Sequence, residues 1–141
     1  MGSLISMEMV KEFLSPYYVK FIDFLKQYNI KHIFVDSDGL VEELIPAWMS
    51  TGVTGVFPME AVNNLENVRE QYPRLQLMGG IDKKILINNA KGDIDRELKK
   101  ASRIVRQGGY IPHIDHSIPM DAKWEAFSYY RNKLNDILDH T

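Results

Sequence analysis

A chain of 141 residues with 45 % hydrophobic and 26 % charged side chains has material for one core and not comfortably for two. It contains no polar or Pro/Gly-dominated tract of the kind that stays disordered. Seventeen Lys and Arg against nineteen Asp and Glu leave a formal net charge of -2, and the cations are scattered, which argues against nucleic acid as a partner. The lack of cysteine excludes disulfides and thiolate-based metal or redox sites. Any metal would need carboxylate, imidazole and water ligands. No apolar run approaches the roughly 18 residues of a membrane span, and the segment from Met1 to Met9 carries Glu8 and no basic, apolar leader. No membrane association and a cytoplasmic location are therefore expected. Met1-Gly2-Ser3 resembles a myristoylation signal only superficially, and a plain start or a cloning remnant is the better reading.

From Met7 to Tyr28 the residues Val10, Phe13, Leu14, Tyr17, Tyr18, Phe21, Phe24, Leu25 and Tyr28 keep a three-to-four spacing, which predicts a helix with one buried face. Pro16 should break or kink it, with Ser15 and Pro16 as cap and first residue of a second segment. Asn29 ends that segment before a first strand from Lys31 to Val35. A helix over Val41 to Ser50 follows, buried through Leu40, Leu44, Ile45 and Trp48 and capped by Asp38 or Gly39. Thr51-Gly52 closes it before a second strand, Val53 to Phe57. Next come a short helix from Asn63 to Tyr72, a third strand from Leu75 to Met78 and a helical turn from Ile81 to Leu86 after Gly79-Gly80. A helix from Asp93 to Gln107 is buried through Ile94, Leu98, Ala101, Ile104 and Val105 and terminated by Gly108-Gly109. A fourth strand, Tyr110 to Ile114, and a last helix, Asp121 to Leu138, complete the chain. Strands and helices alternate without a convincing hairpin, so the fold class is α/β with four parallel βα units. One domain over 1–141 is expected, with leading helices in 1–28 and βα units in 31–138. No Gly-x-Gly-x-x-Gly opens a helix, which leaves dinucleotide binding without support.

In parallel α/β architectures the ligand site lies at the carboxyl ends of the strands. That geometry gathers Asp36, Asp38, Glu60, Asp82, His113, Asp115 and His116 at one rim. Asp36 and Asp38, two apart, are placed to share a ligand or cation or to raise one another's pKa. The structural alternative has Asp38 capping the next helix and Asp36 meeting backbone donors. His116, in a loop ended by Pro119, is suited to act as acid, base or metal ligand near neutral pH. His113 alternates with Asp115 on the strand and fits a packed role as well as a binding one, while Glu60 and Asp82 fit solvated loop charges as well as ligand contacts. His32 and His140 receive no role. Gly79-Gly80 allows close approach of backbone to a ligand or a sharp turn into a helix. Tyr17, Tyr18, Tyr28, Tyr129 and Tyr130 are read as core packing on their helical spacing.

The ordered set Val35-Asp36-Ser37-Asp38-Gly39, Glu43-Leu44-Ile45-Pro46, Gly52 to Glu60, Gly79-Gly80-Ile81-Asp82 and Gly108-Gly109-Tyr110 through Asp115-His116-Ser117-Ile118-Pro119 resembles the uroporphyrinogen decarboxylase family, which includes cobamide-dependent methyltransferases. The likeness covers nearly the whole chain. It implies a (β/α)8 TIM barrel of well over twice this length, of which this chain is similar to the carboxyl-terminal half. Asp36-Ser37-Asp38-Gly39 stands where the methyltransferase members carry a His-x-Cys zinc motif, and His116 where they carry a further cysteine. The resemblance thus implies an oxygen and nitrogen variant, Asp36, Asp38 and His116, of a divalent cation site such as zinc. In the decarboxylase members a histidine in the loop matching Asp115-His116-Ser117 contacts substrate, which assigns that role to His116. The arginines and the aspartate that hold porphyrinogen there belong to the amino-terminal half and have no counterpart here.

The resulting expectation is a partial barrel whose rim binds a small ligand or divalent cation. His116 and Asp36 are its candidate catalytic residues, and Glu60, Asp82, His113 and Asp115 its ligand contacts. Decarboxylation or methyl transfer would need completion by a homodimer or by a separate amino-terminal half, because a half barrel exposes two sheet edges. The alternative is a non-catalytic, truncated or degenerate member acting as a binding or interaction module.

Overall fold

The computed structural model describes residues 4–140; the reading of Met1-Gly2-Ser3 lies outside them. Four apolar runs supply the strands β1 (Phe34–Asp36), β2 (Gly55–Met59), β3 (Gln76–Ile81) and β4 (Tyr110–Ile114). They form one sheet in the order β1-β2-β3-β4, every neighbouring pair parallel. Parallel neighbours need crossover connections, and helices provide them. A 3-10 turn, Glu42–Leu44, leads into α3 (Ile45–Thr51) between β1 and β2, and α4 (Leu65–Gln71) joins β2 to β3. The short α5 (Ile85–Asn88) and the longer α6 (Lys91–Val105) join β3 to β4, and α7 (Trp124–Asp139) follows β4. The α/β class with four parallel βα units is what the alternation of elements predicts, and it matches part of a TIM-type βα repeat.

Register shows why only one sheet face is dry. Val35 aligns with Val56, Val56 with Leu77 and Leu77 with Tyr110, and all four are buried in one core with Ile45, Trp48, Leu98, Ile104, Tyr130 and Leu134 from the helices. The alternate positions form the other face. Asp36 aligns with Phe57 and Met78 with Ile111, and these residues are half-buried or exposed. Gly55 is small for a local reason: a Cβ there would stand 2.3 Å from the ring of Phe34, which lies across it from the neighbouring strand.

The leading helix departs from its predicted form. A short α1 (Met7–Met9) runs into a wide π-helical turn, Val10–Leu14, and then into α2 (Ser15–Gln27). A new α-helical segment does begin at Ser15-Pro16, after the wider turn, but Ser15 does not cap it: its backbone N–H and hydroxyl both reach back to the Val10 carbonyl. The buried stripe is Val10 and Ile22, with Leu14 and Tyr18 partly covered. Phe13, Tyr17, Phe21, Phe24 and Tyr28, expected inside, are exposed. Of the tyrosines read as core, only Tyr130 is fully buried; Tyr18 and Tyr129 pack at its edge, and Tyr17 and Tyr28 are in solvent.

Two further expectations change. Gly79-Gly80 starts no helix: both glycines lie within β3 at φ +102° and +86°, and a Cβ on Gly79 would stand 3.1 Å from the Met59 backbone. Gly79 thus approaches the backbone of β2, while a Cβ on Gly80 would meet Leu65 and the Tyr110 hydroxyl. The cap expected from Asp38 or Gly39 is also absent, since neither the 3-10 turn nor α3 has a side-chain cap.

Arg69 secures the opposite end of the sheet. Its guanidinium donates to the carbonyls of Pro73 (2.8 Å), Leu75 (2.9 Å) and Gly109 (3.0 Å), tying α4 to the starts of β3 and β4. The residue is 3 % exposed, and burial pulls its pKa below the ordinary arginine value. Each charged hydrogen bond contributes about 1.5–3 kcal/mol and the cost of burying the guanidinium offsets part of their sum, so Arg69→Met should lower stability by about 3 kcal/mol, seen as a lower urea midpoint at constant slope. The Tyr110 hydroxyl donates to the Gly79 carbonyl at 2.7 Å, and burial pushes its pKa above the ordinary 10.0. A raised folded pKa gives stability that is complete below pH 10 and declines as pH rises above it, because only the unfolded phenol ionises there. Tyr110→Phe should flatten that alkaline decline in unfolding experiments between pH 9 and 11 while lowering stability at pH 7.

Candidate functional site

β1 and β4 are the edges of the sheet. At about 4.8 Å per strand, a flat sheet would hold their ends roughly 14 Å apart. Their following loops nevertheless meet: His116 Nε2 stands 3.8 Å from Asp38 Oδ1. Asp36, Asp38, Phe57, Pro58, His113, His116 and Ser117 line one open cavity of about 400 Å³. The sheet therefore curls toward its uncovered face, as an arc of a barrel does.

The cavity gathers four of the residues predicted for the site: Asp36, Asp38, His113 and His116. The other three are placed elsewhere or bound by backbone. Glu60 Oε1 accepts the Gly39 amide at 2.8 Å, holding the loop after β1 against the loop after β2. Asp82 accepts the Lys84 amide at 2.9 Å and lines a separate cavity of about 350 Å³ with Asn63, Lys100 and Tyr110. Asp115 is 4 % exposed, and its two oxygens accept the amides of Ala61 (3.0 Å) and Lys83 (3.2 Å). It fastens the loops after β2 and β3 to the end of β4, and the carboxylate assigned to a ligand is engaged by backbone.

Asn63 completes this scaffold. Its side-chain oxygen accepts the Val41 amide at 2.8 Å, and its amide nitrogen donates to the carbonyls of Gly39 (2.8 Å) and Glu60 (3.0 Å). The sequence offers only a generic turn signal for it, an Asn-Asn pair before a helix. Phe57, Pro58 and Ser117 were also not singled out. Ser117 is recoverable only as the neighbour of His116, and Phe57 only once the sheet is known to leave its face open.

Hydrogen bonds assign opposite tautomers to the two imidazoles. His113 Nδ1 lies 2.5 Å from the Ile114 carbonyl; a carbonyl only accepts, so Nδ1 carries the proton and Nε2 keeps its lone pair. The His113 ring stands against Phe57, centroids 5.8 Å apart. At His116 the Ser117 amide donates to Nδ1 at 2.8 Å, with the Ser117 hydroxyl at 2.9 Å. The neutral His116 ring thus holds its proton on Nε2, the nitrogen nearer Asp38. The pocket offers one imidazole acceptor, one imidazole donor and two carboxylates, and the Asp36 carboxylate has no hydrogen-bond or ion-pair partner among the described residues.

A divalent cation does not fit this arrangement. Among the described residues no three His, Asp or Glu side chains converge as a metal centre requires. Nδ1 of His116 is taken by an amide donor, so Nε2 presents a hydrogen where a metal would need a lone pair. The residues of the expected zinc-type site, Asp36, Asp38 and His116, thus line one cavity without forming a three-ligand group among the described residues. Among the described residues no helix is long and apolar enough to cross a membrane.

The sequence of the chain matches the family model for uroporphyrinogen decarboxylase (URO-D) over residues 1–134. None of the curated proteins matches it. Since the match spans nearly the whole length, the chain belongs to the uroporphyrinogen decarboxylase family.

Proposed function

We propose that the chain is a uroporphyrinogen decarboxylase-like partial barrel whose rim pocket binds a small ligand bearing N–H donors or positive charge. The observation that carries this reading is the convergence of Asp36, Asp38, His113 and His116 on one cavity although their strands are the two edges of the sheet. Asp36 and Asp38 supply acceptors, Phe57 an apolar wall, His113 a proton acceptor and His116 a proton donor. Such a pair suits general acid–base work. No Lys or Arg lines the cavity, so the charge developing in a decarboxylation and the carboxylates of a porphyrinogen lack the cationic stabilisation they need. Decarboxylation or methyl transfer would follow only when the barrel is completed, by a second copy or by a separate amino-terminal half.

A second reading, a non-catalytic interaction module, is favoured by one feature: the exposed aromatic residues of α2. Turnover separates the two. The chain alone should release no carbon dioxide from uroporphyrinogen, and turnover by the completed barrel that is lost in His116→Ala would support the enzymatic role.

Ligand binding is testable without turnover. Benzylammonium combines a ring for Phe57 with a cation for the carboxylates, and its titration should shift the His113 and His116 imidazole resonances. Asp36→Asn and Asp38→Asn should weaken it by about tenfold or more, equivalent to ~1.4 kcal/mol, with unchanged thermal unfolding. Undiminished binding in both variants would remove the pocket from the reading. Asp115→Ala should do the reverse, costing about 2 kcal/mol in unfolding experiments because two amides lose their acceptor.

A further inference from the structure

The surface of α2, with the π-helical turn before it and Tyr28 after it, is unlike that of any other helix in the fold. Phe13, Tyr17, Phe21, Phe24 and Tyr28 recur at intervals of four, four, three and four, forming one ridge, and each is 49 to 69 % exposed. Fully covered aromatic side chains bury 150–250 Å² each, so the ridge offers roughly 600 Å², close to the ~800 Å² that each partner contributes to a standard stable interface. Phe21 and Tyr18 also border the open edge of β1, where they line an apolar cavity of about 220 Å³ with Ile33 and Phe34. Ridge, cavity and strand edge form one continuous surface.

The helix inventory shows what fits there. A crossover helix covers the outer face of the two parallel strands that it connects, and α3, α4 and α6 do so between β1 and β4. The strand β4 is followed by its own helix, α7, which packs against α5 and α6 and sends Tyr130 into the core beside Ile114. The strand β1 is preceded by α2, which packs against α3. Four strands thus carry five long or intermediate helices, α2, α3, α4, α6 and α7. An eight-stranded β/α barrel seats one helix per strand. A second copy would bring five more and set α2 and the copy's α7 over the same seam.

We infer that the ridge of α2 and the edge of β1 are the docking surface for a partner of four parallel strands and three intervening helices, one that ends on its fourth strand. That strand lies parallel to β1, and its outward apolar residues pack under Phe13, Tyr17, Phe21, Phe24 and Tyr28. In this arrangement α2 becomes the crossover helix between the partner's last strand and β1, and the uncovered sheet face with Phe57, Met78 and Ile111 becomes barrel interior. The inference rests on the proposal that the chain supplies part of a barrel, and it chooses between the two ways of completing one.

The probes are two amino-terminal fragments of a full-length uroporphyrinogen decarboxylase-family barrel, one ending at the fourth strand and one continuing through the fourth helix. Each is first shown to bind the carboxyl-terminal fragment of its own barrel. The strand-ended fragment should form a one-to-one complex with the 141-residue chain, measured by light scattering and titration calorimetry. The helix-extended fragment should bind about tenfold more weakly or worse, since its last helix competes with α2 for one seat. Phe21→Asp, or Tyr17→Asp where the first variant folds poorly, should weaken the strand-ended complex by about tenfold or more, as loss of a central aromatic anchor does. His116→Ala should leave it intact, so a failed ligand-binding reading stays distinguishable from a failed docking reading. Equal binding of both fragments, or binding of neither, overturns the inference. So does self-association to twice the 16.3 kDa chain mass that both Phe21→Asp and Ile111→Lys abolish, the signature of two copies closing one barrel.

Discussion

Parallel strands are joined through helices, and helices laid on one face leave the other for something else to cover. In this chain the covered face holds Val35, Val56, Leu77 and Tyr110 in line, while the opposite face holds Asp36, Phe57, Met78 and Ile111. The imbalance gives the sheet its curl, and the curl makes the pocket. His116 and Asp38 leave from opposite edges and still approach within 3.8 Å. In a flat sheet the same sequence would leave each histidine and each carboxylate solitary at the rim.

Acidic residues at strand ends divide into two kinds of work, and burial with hydrogen bonding separates them. Glu60 and Asp115 accept backbone amides from neighbouring loops, and together with Asn63 they fix where the loops after β1, β2 and β3 run. Asp36 and Asp38 are left to the cavity because those neighbours already satisfy the amides of Gly39 and Val41. An Asp38 that capped the following helix would have turned away from His116. The scaffold carboxylates therefore leave Asp36 and Asp38 facing the cavity by removing a competing use for them.

The alternation of runs made the four strands, their order of appearance and the longer helices legible from the sequence, and β4 runs from Tyr110 to Ile114 as predicted. What escaped depends on distant partners. The strand β3 extends to Ile81 through Gly79-Gly80 because β2 and the Tyr110 hydroxyl accept that backbone path, and glycine pairs read locally as turns. Helical spacing marked α2 as having a buried face but not which stripe. Val10, Leu14, Tyr18 and Ile22 lie four apart, as do Phe13, Tyr17 and Phe21, and only the position of α3 selects the first set. The Arg69 anchor was unreadable for the same reason, since two of its acceptors lie six and forty residues away. In the site, Asp36, Asp38, His113 and His116 were legible as strand-end residues. Their separation from Glu60, Asp82 and Asp115 was not, because it depends on amides contributed by other loops.

The tautomers decide what the imidazoles can offer in a chain without thiols. A zinc-binding loop presents lone pairs toward one point, and a cysteine supplies them whatever its neighbours do. An imidazole presents a lone pair on one nitrogen only, and the group bonded to the other nitrogen decides which. At His116 the Ser117 amide donates to Nδ1, which turns Nε2 into a donor facing a carboxylate. At His113 the Ile114 carbonyl accepts from Nδ1, which leaves Nε2 as an acceptor. Two backbone groups, neither visible as a motif, thus set the polarity of the pocket. They leave it with one proton donor and one proton acceptor beside the carboxylates of Asp36 and Asp38.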